Sequence, residues 1–239
     1  MSTEREALVL LPGFLCDQSY WQHQIDALSD VALCSCADYG MLDSLPAMAE
    51  SVLRHSPKRF SLAGHSMGGR IALEVFRKAP DRVQRLALFN TGTTPRAAGA
   101  VGEEEERGRR SLLAVAQSQG MRAMALKWIP NMVAPARRSD TALTEAIARM
   151  FERKNPQAFE AQMNALLGRP DATPLLGRLT CPTLVLTGQE DAWSTPAVHQ
   201  QIAAAIPHSR LVLVPGSGHM STMERPAEVA EAMRGWLEN

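Results

Sequence analysis

The chain is short of most features that would assign it to a specialised class. Its 239 residues include only four cysteines, Cys16, Cys34, Cys36 and Cys181. They form no CxxC and share no ligand spacing with histidine, which argues against a zinc module, a thioredoxin-type pair or a disulfide scaffold. Reduced thiols, and no metal, are the expectation. Neither sign of charge is in excess, with 25 basic against 25 acidic residues, so nothing global would attract nucleic acid or an anionic membrane. No apolar run reaches the length of a membrane span. The polar, mixed-charge N-terminus lacks the basic-then-apolar layout of a secretion signal. Together these absences point to a cytoplasmic globular protein with a small-molecule partner. No residue pattern specifies an oligomeric state.

In the first and last thirds of the chain, short runs of leucine and β-branched residues alternate with helix-length amphipathic segments. This is the signature of a parallel sheet with crossover helices. Strands are expected at residues 7–11, 31–36, 59–63, 85–89, 183–187 and 211–214. Helices are expected at residues 20–28, 44–54, 67–78, 196–206 and 226–237. Between residues 95 and 170 the pattern changes to helix after helix, rich in methionine. The expected class is therefore α/β: a mostly parallel central sheet flanked by helices, with residues 1–94 and 171–239 as core and residues 95–170 as a helical insertion.

One hexapeptide, Gly64-His65-Ser66-Met67-Gly68-Gly69, sits where a strand hands over to a helix. The bare G-x-S-x-G pattern should arise by chance in roughly one chain in fifteen of this length. Its strand-to-helix context is more specific, because there the turn holds the serine hydroxyl exposed at the carboxyl edge of the sheet. A serine hydroxyl needs an imidazole to take its proton and a carboxylate to orient that imidazole. The strand at residues 183–187 ends in a turn carrying Asp191, and the strand at 211–214 ends in a glycine-rich turn carrying His219. The order Ser66, Asp191, His219 is that of a nucleophile, an orienting acid and a general base on this kind of sheet. Glu190 and Asp171 are the competing acids, less well placed relative to a strand end. His23, His55, His199 and His208 fall on expected helices or helix ends, where a surface position is the default; packing is the expectation for His65.

Ester cleavage also needs donors for the developing oxyanion. The backbone N–H groups of Met67, at its helix start, and of Phe14, in the loop after the first strand, are the candidates. Within the insertion, Met124, Trp128, Met132 and Phe159 offer a flexible apolar lining for an acyl chain or ring; helical core is the plainer alternative for such residues. The run Glu103–Glu106 with Arg107, Arg109 and Arg110 reads as a solvated helix face with i,i+4 pairs such as Glu105 with Arg109; carboxylate binding by one of these arginines is the alternative. No phosphate-binding loop is legible, and no cofactor is expected.

GHSMGG, the loop after the first strand, TLVLTGQEDAW at residues 183–193 and PGSGHMSTMERP at residues 215–226 together resemble the α/β-hydrolase superfamily. The likeness is strongest to small bacterial carboxylesterases and 3-oxoadipate enol-lactonase-like proteins, with pimeloyl-carrier-protein methyl ester esterases more distant. It covers roughly the first 93 and last 70 residues. The resemblance implies the α/β-hydrolase fold, with residues 95–170 as a cap over the site. Two departures bear on chemistry. Pro12-Gly13 stands where many members carry His-Gly, so a usual brace of the oxyanion loop is absent. Serine at the turn argues against the dehalogenase and epoxide-hydrolase branches, and His65 rather than asparagine before it leans toward esters. The leading reading is a serine hydrolase acting on a small carboxylic ester or lactone through an acyl-enzyme. A slow-turnover ligand sensor and a carbon–carbon bond hydrolase stand beside it as alternatives.

Overall fold

The computed structural model describes residues 5–238. Six strands, β1 (Glu6–Leu11), β2 (Ala32–Cys36), β3 (Phe60–His65), β4 (Val83–Phe89), β5 (Thr183–Gly188) and β6 (Arg210–Val214), pair in the order β2-β1-β3-β4-β5-β6. Every neighbouring pair is parallel. The sequence explains which strands are central. A parallel strand covered on both faces reads as a continuous apolar run, and every residue of FSLAGH in β3 and TLVLTG in β5 is buried. The edge strand β2 instead alternates, with Ala32 buried and Leu33 exposed.

Among the described residues ten α-helices, besides five short 3-10 turns, complete the fold: α1 (Gln22–Ala27), α2 (Leu45–His55), α3 (Met67–Lys78), α4 (Ala100–Gln119), α5 (Met121–Trp128), α6 (Thr141–Glu152), α7 (Pro156–Leu167), α8 (Pro196–Ala205), α9 (Ser221–Glu224) and α10 (Pro226–Leu237). Several begin on clear signals. Ser44, Asp140, Asn155 and Thr195 each accept a backbone N–H three residues on, capping α2, α6, α7 and α8. Proline in the first turn of α2, α7 and α8 lacks only an N–H that the helix leaves unused. Helices α4 to α7 all fall between β4 and β5, so the expected change of pattern is a run of helices in space as well.

Strand and helix ends differ from expectation by a few residues. Strand β3 runs on to His65 and β4 begins at Val83, because the backbone ladder pairs His65 with Phe89 and Phe60 with Val83 beyond the apolar run. The segment expected as one helix at 20–28 is a 3-10 turn ending at Tyr20 followed by the shorter α1. All four cysteines are free thiols.

Because the strands are parallel, their carboxyl ends share one edge of the sheet. Ser66 follows β3, Asn90 follows β4, and the turns after β5 and β6 carry Asp191 and His219.

Candidate active site

The turn after β3 is built by close approach. Ser66 sits at φ 54° and ψ −113°, a left-handed conformation that an L residue adopts only under constraint. A Cβ at Gly64 would strike the Gly68 carbonyl, and one at Gly68 would strike the carbonyls of Leu11 and Pro12. The two glycines thus let α3 start directly beside the loop after β1. Helix α3 has no side-chain cap, so its first N–H groups are left for something else.

The three separated residues come together. His219 Nε2 is 3.0 Å from Ser66 Oγ, and its Nδ1 is 2.8 Å from Asp191 Oδ2. Asp191 is 3% exposed and fully used: Oδ1 accepts the N–H groups of Trp193 and Ser194, and Oδ2 accepts Asn90 Nδ2 at 2.9 Å. Burial pushes this carboxyl up, but the His219 charge and the hydrogen bonds from His219, Ser194 and Asn90 outweigh it and hold the group well below the usual carboxylate range. Glu190 and Asp171 are exposed, and Asp171 Oδ1 accepts the Thr173 N–H instead.

Asn90 is a residue that no sequence pattern advertised. It too has a positive φ, 47°. Its amide donates to Asp191, Thr187 and the Gly218 carbonyl, while its oxygen accepts from Ser221 Oγ. One side chain thereby ties the turns that carry Asp191 and His219.

A second such residue is Glu224. Its carboxylate accepts the backbone N–H groups of Gly218 and Met220 on either side of His219, and that of Ala134 from the helical segment. Burial raises its pKa despite these bonds. The His219 N–H donates to the Met132 carbonyl at 2.6 Å. The histidine turn is therefore clasped from both sides by residues 132–134.

The loop after β1 closes a turn in which Cys16 N–H donates to the Gly13 carbonyl, with Leu15 at φ 59°. That position in such a turn usually needs glycine or asparagine. Gln162 of α7 stabilises it: its Oε1, buried, accepts the Leu15 N–H at 2.7 Å. Tyr39 donates to the Pro12 carbonyl. The expected lack of a brace beside Pro12-Gly13 is thus met by side chains from far along the chain. Neither the Phe14 nor the Met67 N–H donates to a protein acceptor among the described residues.

His65 packs as expected, stacked on Tyr20 with ring centroids 4.1 Å apart. Its Nε2 lies 2.9 Å from the His219 carbonyl, which fixes the proton on that nitrogen. Burial, followed by the His219 charge, holds its pKa well below the ordinary value. His199 departs from expectation. It is fully buried, because its Nε2 accepts the Thr91 N–H and its Nδ1 donates to the Thr195 carbonyl.

A cavity of about 810 Å³ opens over Ser66 and His219. Phe14, Met67, Trp128 and Met132 line it. Met124 and Phe159, also expected as lining, do not: both are fully buried in the apolar cluster, and Phe159 meets Phe14 edge-on at 4.9 Å. Packing and lining faces of a helix are equally apolar, so the pattern did not separate them. Trp193, 43% exposed, stacks on Trp128 at 5.3 Å and sits edge-on to His219 at 5.0 Å.

The Glu103–Glu106 run also differs from a wholly solvated face. Glu105 binds Arg109 as expected but is also gripped by Arg169, and all three line the cavity.

Residues 8–232 match the model of a family described as "Alpha/beta hydrolase family". A pimeloyl-[acyl-carrier protein] methyl ester esterase of Chromobacterium violaceum is 30% identical over 80% of this chain and 75% of its own. Among solved structures, a thermophilic esterase from Thermogutta terrifontis superimposes with a TM-score of 0.85 at 30% identity, covering 100% of this chain and 91% of that one. An enol-lactonase from Burkholderia xenovorans gives a TM-score of 0.84 at 23% identity over 99% and 93% of the two chains.

Proposed function

Since the chain belongs to the alpha/beta hydrolase family, we propose that it hydrolyses a small carboxylic ester or lactone through an acyl-enzyme, with Ser66 as nucleophile, His219 as general base and Asp191 as the orienting acid. The observation that carries this reading is the unbroken line from Ser66 Oγ through His219 to Asp191 at the floor of an open cavity. The relatives named as esterases support the ester class.

In the first half-reaction Ser66 Oγ attacks the carbonyl carbon while its proton passes to His219 Nε2. The new charge on the carbonyl oxygen faces the free N–H groups of Met67 and Phe14, each preorganised donor contributing about 3–4 kcal/mol to the barrier reduction. The carbon–oxygen ester bond then breaks, and the departing alkoxide takes the proton from His219. Water, deprotonated by the same imidazole, attacks the acyl-enzyme; the acid leaves and the proton returns to Ser66 Oγ. Asp191 stabilises the imidazolium in both halves. The segment from α4 to α7 acts as a cap that supplies Trp128, at the end of α5, and Met132, between α5 and α6, to the acyl pocket.

A fluorophosphonate probe and a short-chain aryl ester test the reading together. Stoichiometric labelling of Ser66 with many turnovers per enzyme is expected. Labelling without multiple turnover would favour a slow ligand sensor instead.

A further inference from the structure

The cavity wall carries a charge that the proposed chemistry does not use. Arg70 stands on α3 one helical turn after Ser66, about 6 Å along the axis, and it lines the same cavity. Its Nη1 donates to the Thr94 carbonyl at 2.8 Å. No ion pair involves it among the described residues. Its guanidinium rests over Gly92, where an added Cβ would come within 2.9 Å of Nη2.

The charged groups that act on it are Arg169, Glu105 and Arg109. Glu105 is already held by two of them, through Arg109 at 3.0 Å and Arg169 at 2.7 Å. Arg169 is 10% exposed on its side chain, and its Nε has no partner. Arg109 and Arg169 thus share the Glu105 carboxylate between them, and Arg70, half-buried beside them, has no carboxylate of its own among the described residues. Lys127 and Glu104, the other charged lining residues, are exposed. Burial, and next the charge of Arg169, pushes the Arg70 pKa down to about 9.

An arginine taken out of water without a counter-charge is costly, and structures retain one where something else supplies the charge. Its planar fork matches a carboxylate. A doubly charged phosphate fits less well, because Glu105 stands nearby. We propose that Arg70, with Arg169 and Arg109 behind it, forms a carboxylate-binding subsite, so that the substrate is an ester or lactone bearing a second, free carboxylate. This rests on the ester-hydrolase reading above and narrows its substrate class.

The test compares monomethyl and dimethyl esters of straight-chain dicarboxylic acids of increasing length. The wild-type protein should favour the half-ester by at least about tenfold in kcat/KM. In Arg70→Met the ratio of half-ester to diester should fall about tenfold or more, to near one, chiefly through KM. Gly92→Ala, which displaces the guanidinium but keeps its charge, should lower the ratio by less. A free dicarboxylate, against the matched diol, should raise the Tm of the wild type and not of Arg70→Met, a readout independent of turnover. Equal kcat/KM for both esters, or a preference that survives in Arg70→Met, overturns the subsite. If neither ester is hydrolysed while the Tm rise still depends on Arg70, the subsite stands and the ester-hydrolase reading falls.

Discussion

Glu190 and Asp191 are neighbours in the chain, yet the first is exposed while the second is buried among four hydrogen-bond donors. A replacement that keeps shape but removes charge therefore separates them. Asp191→Asn should favour the wrong imidazole tautomer of His219 and lower kcat by ~10⁴, by analogy with serine proteases; Glu190→Gln should cost little. Steady-state assays of both variants on one ester decide it, and a larger loss in Glu190→Gln would move the acid. At Ser66, loss of the hydroxyl should lower kcat by about 10⁶ while leaving the melting curve intact. An activity above a few per cent of wild type in Ser66→Ala would place the nucleophile elsewhere. The strained φ of Ser66 is imposed by β3 and α3 on either side of it, so the alanine variant inherits the same turn.

At the scale of single elements, α8 is held to the site through His199, whose ring nitrogens bond Thr91 and Thr195. Burial, against the opposing Thr195 hydrogen bond, drives its pKa from 6.5 down to about 4. The unfolded chain thus binds the extra proton first. Stability is whole above about pH 6.5 and falls as the pH drops toward 4, by about 3 kcal/mol from this residue. His199→Gln keeps an acceptor for the Thr91 N–H but does not titrate, so its Tm should fall less between pH 7 and pH 4. Parallel melting profiles for the two proteins would remove His199 from the account. The element also shows what a sequence reader can and cannot see. The central strands were legible because their burial on both faces leaves an apolar run. Ser66, Asp191 and His219 were legible because each follows a strand end in a turn with its own composition. His199, Asn90, Gln162 and Glu224 were not, because each bonds backbone or side chains remote in sequence. The partner that ties each one to the site lies far along the chain (Thr91 for His199, Asp191 for Asn90, Leu15 for Gln162, Ala134 for Glu224), so no local spacing reveals it, and the helix face that buries Met124 looks no different from the one that presents Trp128.

Over the whole molecule, the helical segment and the sheet share one apolar cluster that includes Leu113, Met150 and Phe159 beside Leu10, Leu62 and Leu186. Residues 132–134 clasp the His219 turn in addition. Urea unfolding should therefore be a single transition, with far-UV circular dichroism and tryptophan fluorescence coinciding. Trp128 reports on the helical segment while Trp21 and Trp236 report on the core, so an earlier fluorescence step would mean that the segment melts by itself. No helix among the described residues is long and apolar enough to cross a membrane. The order of strands across the sheet has a consequence for how the chain is made. From β3 onward each new strand is laid beside the previous one, so the sheet can grow outward as the chain leaves the ribosome. His219, however, follows Ser66 by 153 residues, and at about 5–20 residues per second roughly 8–30 s of synthesis separate them. Through that interval Ser66 is present without the histidine proposed as its base, so on that reading the nascent chain cannot yet activate the serine.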